Sequence, residues 1–304
     1  MKFLNYLTYL FKNIILNFIV IVAILFFVHF SLSIHYSNNF SLLNSLKYIA
    51  NILIFNYGTI QLDTQKSVVD LFNPYFLLSF VILFISFILS FIIGFLISYK
   101  LAKNSQNYWL KSINTIVFIV SSIPIFILGA LLIILNNSLK LPIIYIDSFY
   151  ENYAATILSL LVPILTLIIV VVPMIVAFNY PILRKIIQSQ YYTHALAMSY
   201  SNRKTFFSVI VRNWIAQGVQ NFVYIYIFLI SFGMVIERFF YIPGQSFIFQ
   251  YLKDRNYFNL LMHTILVNIS IVFVIKSISD LVNYSLDVEK NMKVFRLRGI
   301  KWVR

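Results

Sequence analysis

The chain has 304 residues, of which 61% are hydrophobic and 11% charged, and its mean hydropathy is +0.88. Soluble domains contain about half apolar and about a quarter charged residues, so this composition excludes a soluble globular protein and favours one that lies in lipid. Cysteine is absent, which excludes disulfide bonds, thiolate metal sites and a cysteine nucleophile.

Six apolar runs are long enough to cross a membrane as helices, because ~20 residues span about 30 Å of hydrocarbon. The sequence therefore predicts an all-α, polytopic membrane protein. The predicted spans are 11–32, 75–99, 113–135, 154–178, 215–236 and 260–284.

The first run is too long for the apolar region of a signal peptide and is followed by a poor cleavage site, Ser33-Ile34-His35. We interpret residues 1–32 as a retained anchor helix and 33–74 as a short extracytoplasmic segment. Residues 75–287 then form the main transmembrane domain, with a cytosolic loop at about 181–214. A basic tail follows at 288–304.

Basic residues fall mainly on one side of the predicted membrane. The segments on the side of the two termini hold sixteen basic residues against two acidic ones, Asp287 and Glu289, whereas the opposite segments hold six of each. The positive-inside rule predicts that both termini lie in the cytosol. The net charge of +14 then indicates anionic lipid as a partner, and nucleic acid is not expected.

Several catalytic motifs are missing from the sequence. It contains no G-x-x-x-x-G-K phosphate loop, no H-E-x-x-H zinc helix and no G-x-S-x-G nucleophile turn. We therefore expect no catalytic residue, no metal site and no cofactor bound by this chain. Lys276 and Asp280 lie four residues apart in the sixth span, where we predict a structural ion pair, with a proton relay as the alternative.

A small, polar and basic segment, His194–Phe207, separates two of the longest apolar runs. Pro181 can begin a helix at its first position, and a second short helix would follow it. Ser199 to Asn202 reads as a turn, in which Ser201 or Asn202 can cap the next helix. The pattern predicts a helix-turn-helix that extends from the membrane, and a solvated loop on the anionic leaflet is the alternative.

Motifs in this segment and beyond it resemble those of permease subunits of binding-protein-dependent ATP-driven (ABC) importers, in the dipeptide, oligopeptide and nickel branch. The segment resembles that family's EAA loop, although Ser199 replaces its glycine. The matching residues there are Gln190-Tyr191-Tyr192, Ala195, Ala197, Ser199, Ser201 and Arg212-Asn213. Elsewhere the matches are Ser122-Ile123-Pro124-Ile125-Phe126, Gly233, Glu237, Phe240, Pro243 and Gly244, and Asp280, Tyr284 and Asp287.

The resemblance implies a subunit that pairs with a second permease subunit to enclose a path. Two cytosolic ATPase subunits would use ATP and magnesium, and an extracytoplasmic binding protein would deliver a peptide, nickel or a metal chelate. The implied contacts to the ATPase come from Tyr191, His194, Ala195, Ala197 and Ser199. Glu237, Pro243 and Gly244 are candidates for an outer gate.

Other functions remain open at this point. A stand-alone secondary transporter or channel would use inverted repeats, discontinuous helices or several charges at mid-membrane. A membrane enzyme would need catalytic residues that the sequence does not display. A permease that has lost transport is a further alternative, and the sequence does not distinguish among the substrates of the branch.

Overall fold

The computed structural model describes residues 2–36, 42–60, 66–104, 106–138, 141–148 and 151–286. The predicted basic tail, 288–304, and Asp287 lie outside the described residues. The described chain is almost entirely helical, with one antiparallel pair of short strands, β1 (Thr59–Ile60) and β2 (Lys66–Ser67). A π-helical segment covers Phe206–Val211, and 3-10 helices cover Phe249–Lys253 and Arg255–Tyr257. The α-helices are α1 (Lys2–Tyr36), α2 (Leu42–Leu53), α3 (Val68–Lys103), α4 (Tyr108–Ser121), α5 (Ile125–Ser138), α6 (Tyr153–Ile187), α7 (Gln190–Ala197), α8 (Asn202–Thr205), α9 (Arg212–Gly218), α10 (Asn221–Phe239), α11 (Gln245–Ile248) and α12 (Phe258–Leu286).

Five helices in the described part of the chain are long and apolar enough to cross a membrane. The pair α4 and α5 makes a sixth span if it is counted as one broken span. The protein is therefore an all-α polytopic membrane protein, as the composition predicts. The apolar stretches of the five helices are Phe11–Ile34, Val68–Lys103, Tyr153–Ile187, Asn221–Phe239 and Phe258–Asn283.

The third predicted span is not one helix. It is divided at Ser122–Pro124, because proline has no N–H to donate and disfavours helical backbone in the residue before it. The end of α4 is satisfied locally: the Ser122 hydroxyl donates to the carbonyl of Ile119 at 2.6 Å. Pro124 directly precedes α5, and its carbonyl accepts from the N–H of Leu128 in the first turn of that helix at 3.1 Å.

The prediction that Pro181 begins a new helix is wrong. Helix α6 runs without a break from Tyr153 to Ile187 and includes Pro163, Pro173 and Pro181. Such prolines are tolerated in membrane helices when neighbouring groups satisfy the carbonyls that lose a partner. The fourth span therefore continues directly into the segment that follows it.

The fifth span begins at Asn221 and not at Ile215, because the helix breaks at Val219 and Gln220. The hydroxyl of Ser279 on α12 donates to the carbonyl of Val219 at 3.1 Å and so satisfies a group that the break exposes. The second span also differs from its prediction, because α3 already begins at Val68.

The chain divides into two compact units. The first comprises Met1–Leu89, Ile123–Val170 and Ile227–Phe273. One apolar core in it is built on Phe72 and Leu260, and a second on Leu25, Ile49 and Met262, where α2 packs beside α1 and α12. His29 joins the second core through its ring nitrogen Nδ1, 2.9 Å from the hydroxyl of Ser45.

The second unit comprises Ser90–Ser122, Val171–Tyr226 and Val274–Arg304. Its core surrounds Leu183 and Ile186 of α6, which contact Ala102 of α3, Ile210 of the π-helical segment and Trp214 of α9. Glycine is required where α3 meets α6, because a Cβ on Gly94 would lie 2.6 Å from the Ile175 side chain. This core fixes the base of the segment that the sequence singles out.

Candidate functional site

The polar segment between α6 and α9, residues 188–211, is referred to below as the connecting segment. It consists of the short helix α7, a tight turn, α8 and the π-helical stretch Phe206–Val211. The helix-turn-helix that the sequence predicts is therefore present. Helix α7 corresponds to the second short helix of the prediction, whereas the helix expected from Pro181 is the end of α6.

The turn after α7 is a Schellman motif, in which the backbone N–H groups after a helix return to its last carbonyls. Tyr200 donates to the carbonyl of Ala195 at 3.2 Å, and Ser199 donates to that of Leu196 at 2.9 Å. This closure places Ser199 at a φ of +57°, which favours glycine. The close turn forms even though serine stands where the resembling family has glycine.

The next helix begins with a side-chain cap, as predicted. The hydroxyl of Ser201 accepts from the N–H of Lys204 at 3.3 Å and so satisfies one of the donors at the start of α8. The Lys204 ammonium also lies 3.8 Å from the centre of the Tyr200 ring, within the range of a cation–π contact. These two contacts hold the turn and the helix after it together.

Four of the five predicted contact residues on α7 and its turn are exposed. Tyr191 is 44% exposed, and His194, Ala197 and Ser199 are exposed as well. Ala195 differs, because its side chain is only 5% exposed and faces the interior of this chain. Ala195 is therefore placed where it sets how closely α7 packs, and the surface open to a partner lies on the other side of the helix.

Two exposed residues of α7 and its end were missed by the sequence reasoning. Leu196 is 46% exposed and Met198 is 56% exposed, although both are apolar. The signal was present in the sequence, because a leucine and a methionine interrupt an otherwise small and polar run. Exposed apolar patches mark contacts with another protein or with the membrane, and methionine is enriched in protein interfaces.

The base of the connecting segment is tied to two long helices through Trp214 of α9. Its indole N–H donates to the side-chain oxygen of Asn179 on α6 at 2.8 Å. Its ring packs against Phe91 and Phe95 of α3, at 5.5 and 5.1 Å between ring centres. Buried aromatic contacts with a satisfied indole N–H make this connection specific as well as apolar.

The three candidates for an outer gate lie together in the first unit. Glu237, near the end of α10, is 2% exposed. Its Oε1 accepts from the Ser79 hydroxyl at 2.5 Å, and its Oε2 accepts from the backbone N–H of Ser246 at 2.9 Å. Gln245 donates its backbone N–H to the same Ser79 hydroxyl at 2.7 Å. Glu237 thus fastens α3, α10 and α11 and does not lie on an open surface.

The loop after α10 packs closely against the Glu237 carboxylate. A Cβ on Gly244 would lie 2.4 Å from the Glu237 carboxyl carbon and 2.5 Å from the Ser79 oxygen, so a larger residue would force these groups or the loop to move. Pro243 precedes it and is partly buried. Helix α10 ends just before this loop in a second Schellman motif. The N–H of Ile242 donates to the carbonyl of Glu237 at 2.8 Å, and Tyr241 has a φ of +52°.

The predicted pair on α12 has the geometry of an ion pair, with Lys276 Nζ 3.2 Å from Asp280 Oδ2. Both side chains are partly exposed, which limits what such a pair contributes to stability. In the ranges that the structure describes, no three His, Asp or Glu side chains come together in a way that could hold a metal ion.

No model of a known protein family matches the chain, and no curated protein matches it.

Proposed function

We propose that the chain is the permease subunit of an ATP-driven importer and that it receives its driving force through the connecting segment. The observation that carries this proposal is the connecting segment itself. It is a short capped helix with an exposed face of small, apolar and aromatic side chains, and it joins α6 to α9 and α10 without a flexible linker. The order and spacing of the family-like motifs support the same function.

The packing at the base favours transmission of movement. Because Trp214 is fastened to Asn179 on α6 and to phenylalanines on α3, a force on α7 reaches two long helices together. Rigid-body movement of packed helices is an established way to switch a protein between two states. The buried group at Glu237, Pro243 and Gly244 would hold the loop after α10 during such a movement.

The charge distribution supports a cytosolic position for the connecting segment. If α4 and α5 together cross the membrane once, both termini and residues 188–211 lie on the side with sixteen basic and two acidic residues. If they do not cross and the N-terminus is cytosolic, the connecting segment and the basic tail lie outside, against the positive-inside rule. We therefore propose six spans with both termini cytosolic, in the plasma membrane of a bacterium.

The proposed partners are a second permease subunit, two ATPase subunits that bind ATP and magnesium, and an extracytoplasmic binding protein. Peptides, nickel or a metal chelate are the proposed cargo, carried along a path between the two permease subunits. We propose no enzymatic activity and no cofactor for this chain itself.

Affinity purification of the tagged full chain in mild detergent tests the proposal. We expect recovery of a second membrane subunit and of ATPase subunits that hydrolyse ATP. The variant Leu196→Asp should lower ATPase recovery at least tenfold while the amount of chain in the membrane stays the same. Leu46→Asp is the matched control, since Leu46 is a similarly exposed leucine on the short helix α2. Purification of a chain that is alone and still transports would contradict the proposal.

A stand-alone secondary transporter is the second candidate, because one observation favours it. The division of the third span at Ser122–Pro124 is the kind of discontinuous helix that such transporters use at their binding sites. Uptake by the purified chain in vesicles that contain no ATPase and no ATP would support this alternative.

A further inference from the structure

A cavity of about 530 Å³ lies in the second unit, where the end of α3, the start of α4 and the last turns of α6 meet. Its volume is in the range of about 300–1,000 Å³ that is usual for small-molecule sites. Two cationic side chains line it, Lys111 and Arg184, together with the polar side chains of Asn104, Thr115 and Tyr180.

The positive charge of this cavity is not balanced by the chain around it. Among residues 90–122, 171–226 and 274–286 of the second unit, Asp280 is the only carboxylate, and it pairs with Lys276. The described contacts of the two cations in the cavity are with aromatic groups: Lys111 lies 5.4 Å from the Tyr108 ring centre, and Arg184 donates to the Tyr180 hydroxyl at 3.1 Å. That bond uses one of the five N–H donors of a guanidinium.

The position of the cavity in the chain indicates which anion can reach it. Tyr108 and Trp109, at the start of α4, are each 82% exposed, and such aromatic residues are typical of the boundary between membrane and water. Lys100 and Lys103, in the last turn of α3, are close in sequence to Leu101 and Asn104, which line the cavity. Basic pockets between membrane helices on the cytosolic side are suited to lipid headgroups.

We infer that this cavity binds a phosphate-bearing anion, and that its source is the headgroup of an anionic phospholipid. Arg184 and Lys111 hold the phosphate oxygens, because guanidinium and ammonium groups form charge-assisted hydrogen bonds with phosphate. Asn104 and Thr115 offer hydrogen bonds to the rest of the headgroup, and the acyl chains remain in the bilayer beside α4. The site does not depend on the transport function proposed above.

Native mass spectrometry of the purified full chain, together with any subunits that copurify, tests the inference. The protein is titrated with phosphatidylglycerol and, separately, with phosphatidylcholine of the same acyl chains. We expect at least tenfold tighter binding of one phosphatidylglycerol molecule. The double variant Lys111→Gln with Arg184→Gln should lose this preference, whereas the control Lys12→Gln with Lys47→Gln, which removes two charges from exposed positions in α1 and α2, should keep it.

Arg184→Lys is a conservative variant that we expect to fold, because it retains the positive charge and removes only the planar guanidinium group. Its preference for phosphatidylglycerol should be reduced several-fold but still measurable. Equal binding of the two lipids by the wild type, or an unchanged preference in the double variant, would overturn the inference.

Inorganic phosphate is the third probe. If it binds to the wild type and not to the double variant, while phosphatidylglycerol is not preferred over phosphatidylcholine, the lipid is not the source of the phosphate.

Discussion

The hydroxyl of Ser79 on α3 donates to Glu237 on α10 at 2.5 Å and accepts from the backbone N–H of Gln245 at 2.7 Å. One small side chain thus satisfies a buried carboxylate and the first N–H of α11 at the same time. Residues 79 and 237 are far apart in the sequence, so this bond joins two distant segments of the first unit.

Ser79→Ala should therefore destabilise the protein by about 1–3 kcal/mol, because it leaves the buried N–H of Gln245 without an acceptor and removes a donor to Glu237. The apparent midpoint of thermal unfolding in detergent measures the effect. Ser231→Ala is the control, since the exposed Ser231 hydroxyl bonds only the carbonyl one turn before it on α10. Equal midpoints for the two variants would show that the bridge is not important for stability.

Gly244→Ala should disrupt the same cluster for a steric reason. Its new methyl group would overlap the Glu237 carboxylate and the Ser79 hydroxyl, at 2.4 and 2.5 Å. Overpacking of this kind costs roughly 1–3 kcal/mol. Gly129→Ala provides the comparison, because a Cβ there would meet the Phe239 ring at an ordinary 3.6 Å. We expect a lowered unfolding midpoint for the first variant only, and an unchanged midpoint for Gly244→Ala would mean that the loop can move aside.

Ser199→Gly should stabilise the turn after α7. Serine at a φ of +57° is strained, and glycine relieves that strain, so a net gain of about 0.5–1 kcal/mol is expected. Hydrogen exchange of the amides in residues 195–201 should slow by roughly two- to fivefold, since 1.4 kcal/mol corresponds to about tenfold. Ala197→Gly, two residues earlier at the last position of α7, should instead accelerate exchange, because glycine has a lower helix propensity than alanine. Faster exchange in both variants would contradict the assigned turn.

The sequence predicted the class of fold because hydrocarbon imposes it: apolar runs of sufficient length can only be helices there. It also predicted the turn at Ser199 and the cap at Ser201, since both depend on local backbone chemistry. The prediction of a helix start at Pro181 was wrong, because the sequence does not distinguish a proline that begins a helix from one that is tolerated within a membrane helix.

Contacts between distant segments were outside the reach of sequence reasoning. Glu237 and Gly244 were identified as one site from a motif, but the hydrogen bond from Ser79 to Glu237 depends on how α3 packs against α10. The orientation of Ala195 likewise depends on how α7 packs against the π-helical stretch Phe206–Val211. No pattern of residues in the sequence predicts that stretch. The break before the fifth span at Asn221 is also accompanied by a contact between distant residues, in which Ser279 bonds the carbonyl of Val219.

Ala195→Phe should separate ATP hydrolysis from transport while leaving membrane insertion intact. The side chain is 5% exposed, so a phenyl group would push α7 away from the segment beneath it and change its contact with the proposed ATPase. In vesicles with the copurified subunits, we expect uptake of a mixture of di- and oligopeptides or nickel to be lost, with ATP hydrolysis no longer linked to it. Ala50→Phe, at an exposed position on α2, is the control. Uptake at the wild-type level in Ala195→Phe would refute the role assigned to α7.

The topology can be determined by labelling, because the chain has no cysteine and each introduced thiol is unique. Gln106→Cys, Asn152→Cys and Thr193→Cys lie at exposed positions before α4, after α5 and on α7. If the broken pair crosses the membrane once, a membrane-impermeant maleimide added to intact cells should label position 152 only. Positions 106 and 193 should react only after the cells are opened. If α4 and α5 instead return to the side from which they came and the N-terminus is cytosolic, positions 106 and 152 would both be protected in intact cells and position 193 would be labelled from outside. That pattern would place α7 beyond the reach of a cytosolic ATPase, so the same three residues decide both the path of the chain and the source of its driving force.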